Sequence, residues 1–350
     1  MDARERARTF GTRFGMSVPV LEAPMAGACP PELAAAVAGA GGMGAAGVVN
    51  DSPERIAEWV RRYRELAGPA PLQLNLWVPD PPDGRSTDPA EEFLAGFGGT
   101  PAPPPGPGPD VAEQFAAVLA ARPTAVSTIM GLLTPDEVAA VHDAGVAWFA
   151  TASTRTDALA AEAAGADVVV AQAMEAGGHR GTVDPAAAEH TAVGLFALLP
   201  WIADAVSVPV VAAGAVADGR ALAAALTLGA SAVQVGTALL RTPEAGIDAG
   251  WSAALDGLAP EDTVTTRAYS GRLARGVPTD FVRAWARPGA PSPAPYPQQR
   301  MLVGRYRAGE PGGVDRVNHW AGQAAARAGT GPAGEIVDRM WRTADRLLPG

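Results

Sequence analysis

Residues 175–181 read Glu-Ala-Gly-Gly-His-Arg-Gly and concentrate more chemistry than any other stretch of this chain. Gly177, Gly178 and Gly181 leave backbone N–H groups open to an anion or to the close approach of a planar ring. His179 sits among them and can exchange protons near neutral pH. Arg180 adds positive potential for an anion. The other three histidines have plainer settings: His142 on the solvent side of a helical stretch, His190 at the start of a helix, His319 near the C-terminus. Two later turns complement the first. Gly214 follows the run Val-Val-Ala-Ala, and Gln234-Val235-Gly236-Thr237 closes another apolar run. Backbone amides there, with the Thr237 hydroxyl, can hold a phosphate without a lysine.

That last point matters because all 27 basic residues are arginine and none is lysine. Schiff-base chemistry, a pyridoxal-phosphate linkage and a P-loop lysine are therefore excluded. The net charge of −10 argues against nonspecific nucleic-acid binding. The single cysteine, Cys29, excludes an internal disulfide and a cysteine-based zinc site, and no metal site is expected. The N-terminal residues lack the apolar segment of a secretory signal, and no apolar run is long enough to span a bilayer, so a cytoplasmic enzyme is expected.

The elements that must carry these turns follow from alternating apolar and Ala-rich stretches. Strands are expected at 18–21, 42–46, 72–76, 125–129, 147–150, 167–171, 208–212 and 232–235, with a helix after most of them. Cap-plus-proline signals at 30–32, 52–54 and 134–136 open three helices, while Gly145, Gly165 and Gly229 close others. Eight such alternations predict an α/β fold, a (β/α)8 TIM barrel over residues 1–256. Three regions break the repeat: a Pro-rich insertion at 79–110 after the third strand, read as a long loop; a loop at 177–189 after the sixth; and a C-terminal extension at 257–350 with a Pro-rich tract at 288–297 and a final helix near 333–347. In a barrel, loops after strands build the active-site rim.

The barrel reading also disposes of a decoy. Residues 42–47 match G-x-G-x-x-G, but the preceding residues look helical, whereas a dinucleotide fingerprint follows a strand and opens a helix. A Gly-rich second strand fits better. At the ends of the first and third strands, Ala23, Pro24 and Met25 form either an ordinary βα turn or a rigid edge for a planar ring, and Asn75 either caps a turn or places an amide in the barrel mouth.

Taken together, the pieces APMAG (23–27), GGMGAAG (41–47), QLN (73–75), EAGGHRG (175–181), PVVAAGAVADG (209–219), QVGT (234–237), YSGRLARG (269–276) and WAGQ (320–323) resemble the nitronate monooxygenase family, in order along the chain. The resemblance implies an FMN-dependent barrel that oxidises alkyl nitronates or nitroalkanes with O2 to a carbonyl compound and nitrite. By the same resemblance, Ala23, Pro24 and Met25 face the flavin ring, Asn75 and Gln172 bond its polar side or ribityl chain, and Gly177, Gly178, Gly214, Gln234, Val235, Gly236 and Thr237 hold its phosphate end. His179 is then the catalytic residue, and Arg180 and Ser270 are the substrate-side candidates. The expected partners are a small-molecule substrate and O2, with no nucleic acid and no membrane, and a homodimer stays open.

Two other functions compete. An FMN-dependent NAD(P)H reductase of enoyl-acyl carrier protein or quinones uses a similar barrel, with NAD(P)H as a second cofactor. A non-catalytic phosphate-ligand-binding barrel, or a relative of IMP dehydrogenase, needs no flavin; the latter needs a catalytic cysteine on the sixth-strand loop, and Cys29 lies in the first turn instead.

Overall fold

The structure is a computed structural model and describes every residue of the chain except 82, 105, 107 and 350. In chain order the strands are β1 (Val20–Glu22), β2 (Gly44–Gly47), β3 (Leu72–Trp77), β4 (Ala125–Ile129), β5 (Ala147–Ala152), β6 (Val168–Gln172), β7 (Gly178–His179), β8 (Val210–Ala213), β9 (Ala232–Val235), β10 (Val264–Thr266) and β11 (Ala274–Gly276). Eight of them form one parallel sheet in the order β1-β9-β8-β6-β5-β4-β3-β2. The sheet closes on itself where the Met43 N–H donates to Val20 O and the Glu22 N–H donates to Met43 O, at 3.1 and 2.9 Å. The expected (β/α)8 barrel is therefore present, with all eight strands within two residues of their expected places.

Helices α1 (Ala3–Phe14), α2 (Pro31–Gly39), α3 (Pro53–Ala67), α4 (Asp88–Ala95), α5 (Val111–Ala120), α6 (Pro135–Asp143), α7 (Arg155–Ala163), α8 (Leu195–Ala203), α9 (Gly219–Thr227), α10 (Ala249–Leu255), α11 (Asp280–Trp285), α12 (Gln298–Ala308) and α13 (Ala333–Leu347) complete the fold. The cap signals work locally as expected. Ser52 accepts from the Arg55 N–H, and Thr134 and Glu137 form a reciprocal capping box. α13 packs along α9 and α2, which returns the C-terminus to the barrel wall.

Strand periodicity decides what fills the barrel. Inward positions near the N-terminal end are apolar: Leu21, Met43, Ala125, Phe149, Val168, Val170 and Val211 form one buried cluster with Phe10 and Phe14 of α1. The α1 helix thus plugs the bottom of the barrel, with Phe14 meeting Phe149 edge-on at 5.0 Å. This helix was not anticipated, because its charged residues mask a buried stripe of Ala7, Phe10, Gly11 and Phe14. Toward the C-terminal end the same inward stripe turns polar: Gln73, Asn75, Ser127, Thr151, Gln172 and Gln234. That switch makes a floor that can hydrogen-bond a ligand.

Three expectations need correction. The stretch 79–110 is not one long loop: α4 lies inside it, with Ala90 and Leu94 buried four residues apart, and its Pro-rich flanks hid so short an amphipathic segment. Positions 82, 105 and 107 of that stretch lie outside the described residues. The loop 177–189 contains β7, which joins the antiparallel sheet β10-β11-β7. His190 stands in a turn, five residues before α8 begins.

Residues Ala90 and Leu94 pack with Ala268, Tyr269, Phe281, Trp285, Leu302, Val303 and Tyr306 in a separate apolar cluster. The insertion after β3 and the C-terminal extension therefore share one core, a cap over the barrel mouth. Truncating the plugged end should be costly. Phe149→Ala is expected to destabilise the protein by about 3–5 kcal/mol, read as a lower urea midpoint, and a loss under about 1 kcal/mol would refute the account of α1 as a packed plug.

Candidate active site

Between the polar barrel floor and the cap lies a cavity of about 510 Å³. It is the size of a typical small-ligand or cofactor site. The C-terminal ends of the strands contribute Ala23, Pro24 and Met25, Asn75, Gln172, Gly177, Gly178 and His179, Gly214, Gln234, Gly236 and Thr237 to its wall. All were expected together, and Ser270 joins them from the cap. Arg180 and Val235 do not line the cavity. The Arg180 guanidinium is buried behind the wall, donating to Gln172 O and Thr191 O at 3.3 and 3.4 Å, so its charge supports the loop rather than meeting a ligand. Val235 faces the helix layer.

The His179 loop is held from both sides. Gln172 spans it, with Nε2 donating to His179 O at 2.9 Å and Oε1 accepting from the Gly181 N–H at 2.7 Å. β7 pairs antiparallel with β11, setting His179 opposite Ala274, and the Arg180 N–H donates to Leu273 O at 2.9 Å. His179 Nε2 lies 2.7 Å from Ser270 Oγ. Trp77 and Trp320 meet the imidazole edge-on, with centroids 4.7 and 5.1 Å away. Next to Ser270, the buried Arg272 donates from Nε to Asp80 Oδ2 at 2.8 Å and from Nη1 to Thr182 O at 2.7 Å, so it ties the cap to the loops after β3 and β7. His179 is half-buried and its free surface lines the cavity. Desolvation, then the positive fields of Arg300 and Arg272, push its pKa down to about 3. The imidazole is neutral at physiological pH.

The opposite end of the cavity is built from close backbone. A Cβ on Gly177 would stand 2.5 Å from Gly322 N, which only glycine tolerates. Gly214 has a φ of +119°, and Ala215 follows at +55°, a strained value for a residue with a side chain. Among the described residues, the N–H groups of Gly214, Ala215, Gly236 and Thr237 donate to no protein acceptor. Thr237 Oγ1 accepts from the Gly322 N–H at 3.0 Å and keeps its own proton to give. Free amides with strained backbone suit an anionic phosphate.

Several residues of the site escaped the sequence reading. Glu22 is fully buried beneath the turn of Ala23, Pro24 and Met25. Its Oε2 accepts from the Ala45 N–H at 2.8 Å, its backbone O accepts from Gln73 Nε2 at 2.8 Å, and Cys29 lies beside it. Burial pushes its pKa up to about 8 and pushes the Cys29 thiol well above its ordinary range. Arg300, Arg307, Trp77, Tyr269 and Asn318 also line the cavity. The seven-residue spacing of the two arginines places them on one helix face, a signal legible only once α12 is recognised as a helix.

The closed parallel barrel, with a polar floor under an aromatic cap, is of the β/α-barrel class. A family model described as "Nitronate monooxygenase" matches residues 9–342. A nitronate monooxygenase of Paraburkholderia phytofirmans is 38% identical, covering 94% of this chain and 93% of that protein. A nitroalkane oxidase structure from Streptomyces ansochromogenes superposes with a TM-score of 0.86 at 34% identity, covering 97% and 98% of the two chains. FabK from Thermotoga maritima, at 24% identity and a TM-score of 0.75 over 97% and 96%, shares the fold. The chain belongs to the nitronate monooxygenase family, whose members are flavin-dependent oxidoreductases. Among the described residues, no helix is long and apolar enough to cross a membrane.

Glu22 gives a pH prediction. Its folded pKa, about 8, stands above its ordinary 4.5, so its contribution to stability is fully present below about 4.5 and is lost as pH rises through about 8. His179 acts in the other direction: its folded pKa of about 3 is below its ordinary 6.5, so it contributes above 6.5 and loses that contribution as pH falls toward 3. Above pH 6.5 Glu22 is the changing group of the two. The urea midpoint is expected to fall with rising pH between about 6.5 and 8 in the wild type, and to fall less steeply in Glu22→Gln. Equal slopes would contradict a protonated, buried Glu22.

Proposed function

We propose that this protein binds FMN in the cavity and oxidises alkyl nitronates and nitroalkanes with O2, giving a carbonyl compound and nitrite. The carrying observation is that His179, 2.7 Å from Ser270, lines one cavity with a cradle of free amides. The residues present fit the cofactor. Gly214, Gly236 and Thr237 would hold the phosphate by backbone and hydroxyl, with Gly177 and Gly178 letting the chain approach closely. Gln234, Asn75 and the second N–H of Gln172 would meet the ribityl chain and the polar ring edge. Ala23, Pro24 and Met25 would lie against the ring, and Val235 would set the adjoining strand. FMN, when bound, supplies the electron transfer and the reaction with O2.

The protein's own task is acid–base and positional. His179 on the cavity wall is the group placed to accept the proton at the carbon next to a nitro group. Ser270 holds that imidazole through the 2.7 Å contact at Nε2, and Trp77 and Trp320 restrict its tilt. In this reading residues 1–256 are the FMN barrel and residues 257–350 an extension packed on it, acting in the cytoplasm.

Purified protein should be yellow, with absorbance near about 450 nm from oxidised flavin. Gly214→Val should lose that colour, because a side chain is strained at its positive φ. Colourless wild-type protein would sink the FMN assignment. Under anaerobic mixing, a nitronate should bleach the flavin; rapid bleaching by NADH instead would favour a reductase. With FMN retained, His179→Asn is expected to lower turnover of neutral nitroalkanes by about 10²–10⁴-fold, while a preformed nitronate is far less affected. Full activity of that variant on the neutral substrate would remove His179 from the role of base.

A further inference from the structure

The acid–base reading leaves two cavity-facing cations unused. Arg300 and Arg307 both reach the cavity from α12. Arg307 is tied into the cap: its Nε donates to Arg316 O at 2.6 Å and its guanidinium lies over Tyr269. Arg300 is differently placed. Its guanidinium carbon sits 5.7 Å from the Trp77 ring centroid, and Trp77 meets His179 edge-on. Its terminal nitrogens reach only neutral groups, the Asn50 side-chain oxygen and the Tyr296 hydroxyl. Among the described residues no carboxylate forms an ion pair with it. Among the described residues the one acid on the cavity wall, Glu175, accepts the Leu195 N–H with both oxygens, at 3.0 and 3.1 Å.

A cation on an aromatic wall, with neutral partners only, can take an anion from outside. We propose that Arg300 is a specificity-determining residue that receives the two nitronate oxygens and so favours the ionised substrate over the neutral nitroalkane. This rests on the nitronate reading above. A nitronate spreads one negative charge over a planar O–N–O group, which matches the planar fork of a guanidinium. The attraction exceeds its value in water because the aromatic walls lower the local dielectric. His179, being neutral, does not supply that charge, and the field of Arg300 helps keep it neutral. One cation thereby divides the labour: Arg300 takes the anion and His179 handles the proton. A neutral nitroalkane offers Arg300 a dipole only.

The test compares kcat/KM for a nitronate and its parent nitroalkane in wild type, Arg300→Gln and Arg300→Lys. Nitrate, a planar oxyanion, is titrated calorimetrically into the same oxidised holoenzymes without turnover. In Arg300→Gln, nitronate kcat/KM is expected to fall about 10–100-fold, mainly through KM, and about tenfold or more beyond any fall for the nitroalkane. Nitrate binding should weaken by a similar factor, and the lysine variant should recover part of both losses. The His179 midpoint, followed by NMR, should rise in Arg300→Gln. Circular dichroism and flavin absorbance matching the wild type establish folding, and if the glutamine variant fails that check, the lysine variant and Arg300→Met are read the same way. Parallel losses for both substrates, or unchanged nitrate binding, would overturn the proposal. If wild-type enzyme leaves nitronates untouched while nitrate binding still depends on Arg300, the nitronate reading fails and the anion site stands by itself.

Discussion

A two-residue strand carries the geometry of this site. Gly178 and His179 pair with Arg275 and Ala274, and that short ladder is where the barrel meets its cap. A ladder so short is not stable alone. It persists because side chains brace it from both directions: Gln172 from the barrel, Arg275 by donating from Nε to Met174 O at 2.9 Å, and the Arg272–Asp80 pair from the cap. Burying Arg272 carries a large desolvation cost, and the carboxylate of Asp80 with the carbonyl of Thr182 offsets it. The placement of His179 against Ser270, Trp77 and Trp320 follows from that junction.

Electrostatics follow from the same junction. With no lysine in the chain, positive potential comes from arginine and from backbone amides. The arginine in the His179 motif, Arg180, turns away and supports carbonyls behind the wall. The cations that act on the cavity are contributed by the cap, Arg272 and Arg300 foremost. At the far end, amides that donate to no acceptor among the described residues lie on strained backbone. The cavity thus has cap arginines on one side and free backbone amides on the other, with His179 on the wall between barrel and cap.

The barrel was legible in the sequence because a parallel strand covered on both faces must be an apolar run, and its glycine and proline punctuation is local. The strand ends were legible for the same reason, so Ala23, Asn75, Gln172, Gly214 and Gly236 fell on one cavity. What was not legible depends on contacts distant in sequence. Helix α1 reads as a charged surface segment until Phe10 and Phe14 meet Phe149. Glu22 reads as a strand-end acid until Ala45, Cys29 and the barrel wall enclose it. Arg180 and Arg300 differ in what they face, and no spacing rule separates a guanidinium behind a wall from one in front of it.

The Pro-rich insertion and the C-terminal extension, two irregularities in the sequence, are one structure. Leu94 from the first and Tyr269, Phe281 and Leu302 from the second share a core that neither could form alone. Arg316 joins them again by donating to Leu94 O and Gly98 O at 3.2 and 2.7 Å. The cap therefore orders as a unit, and its orientation is fixed to the barrel at Asp80 and β7. The barrel itself supplies the free amides of Gly214, Ala215, Gly236 and Thr237. Trp77 at the end of β3, with Tyr269, Trp320 and Arg300 from the cap, makes the remaining wall. A change in the cap core would shift those side chains together, so selectivity is expected to respond to substitutions far from the cavity, at Leu94 or Phe281, while the cradle stays in place.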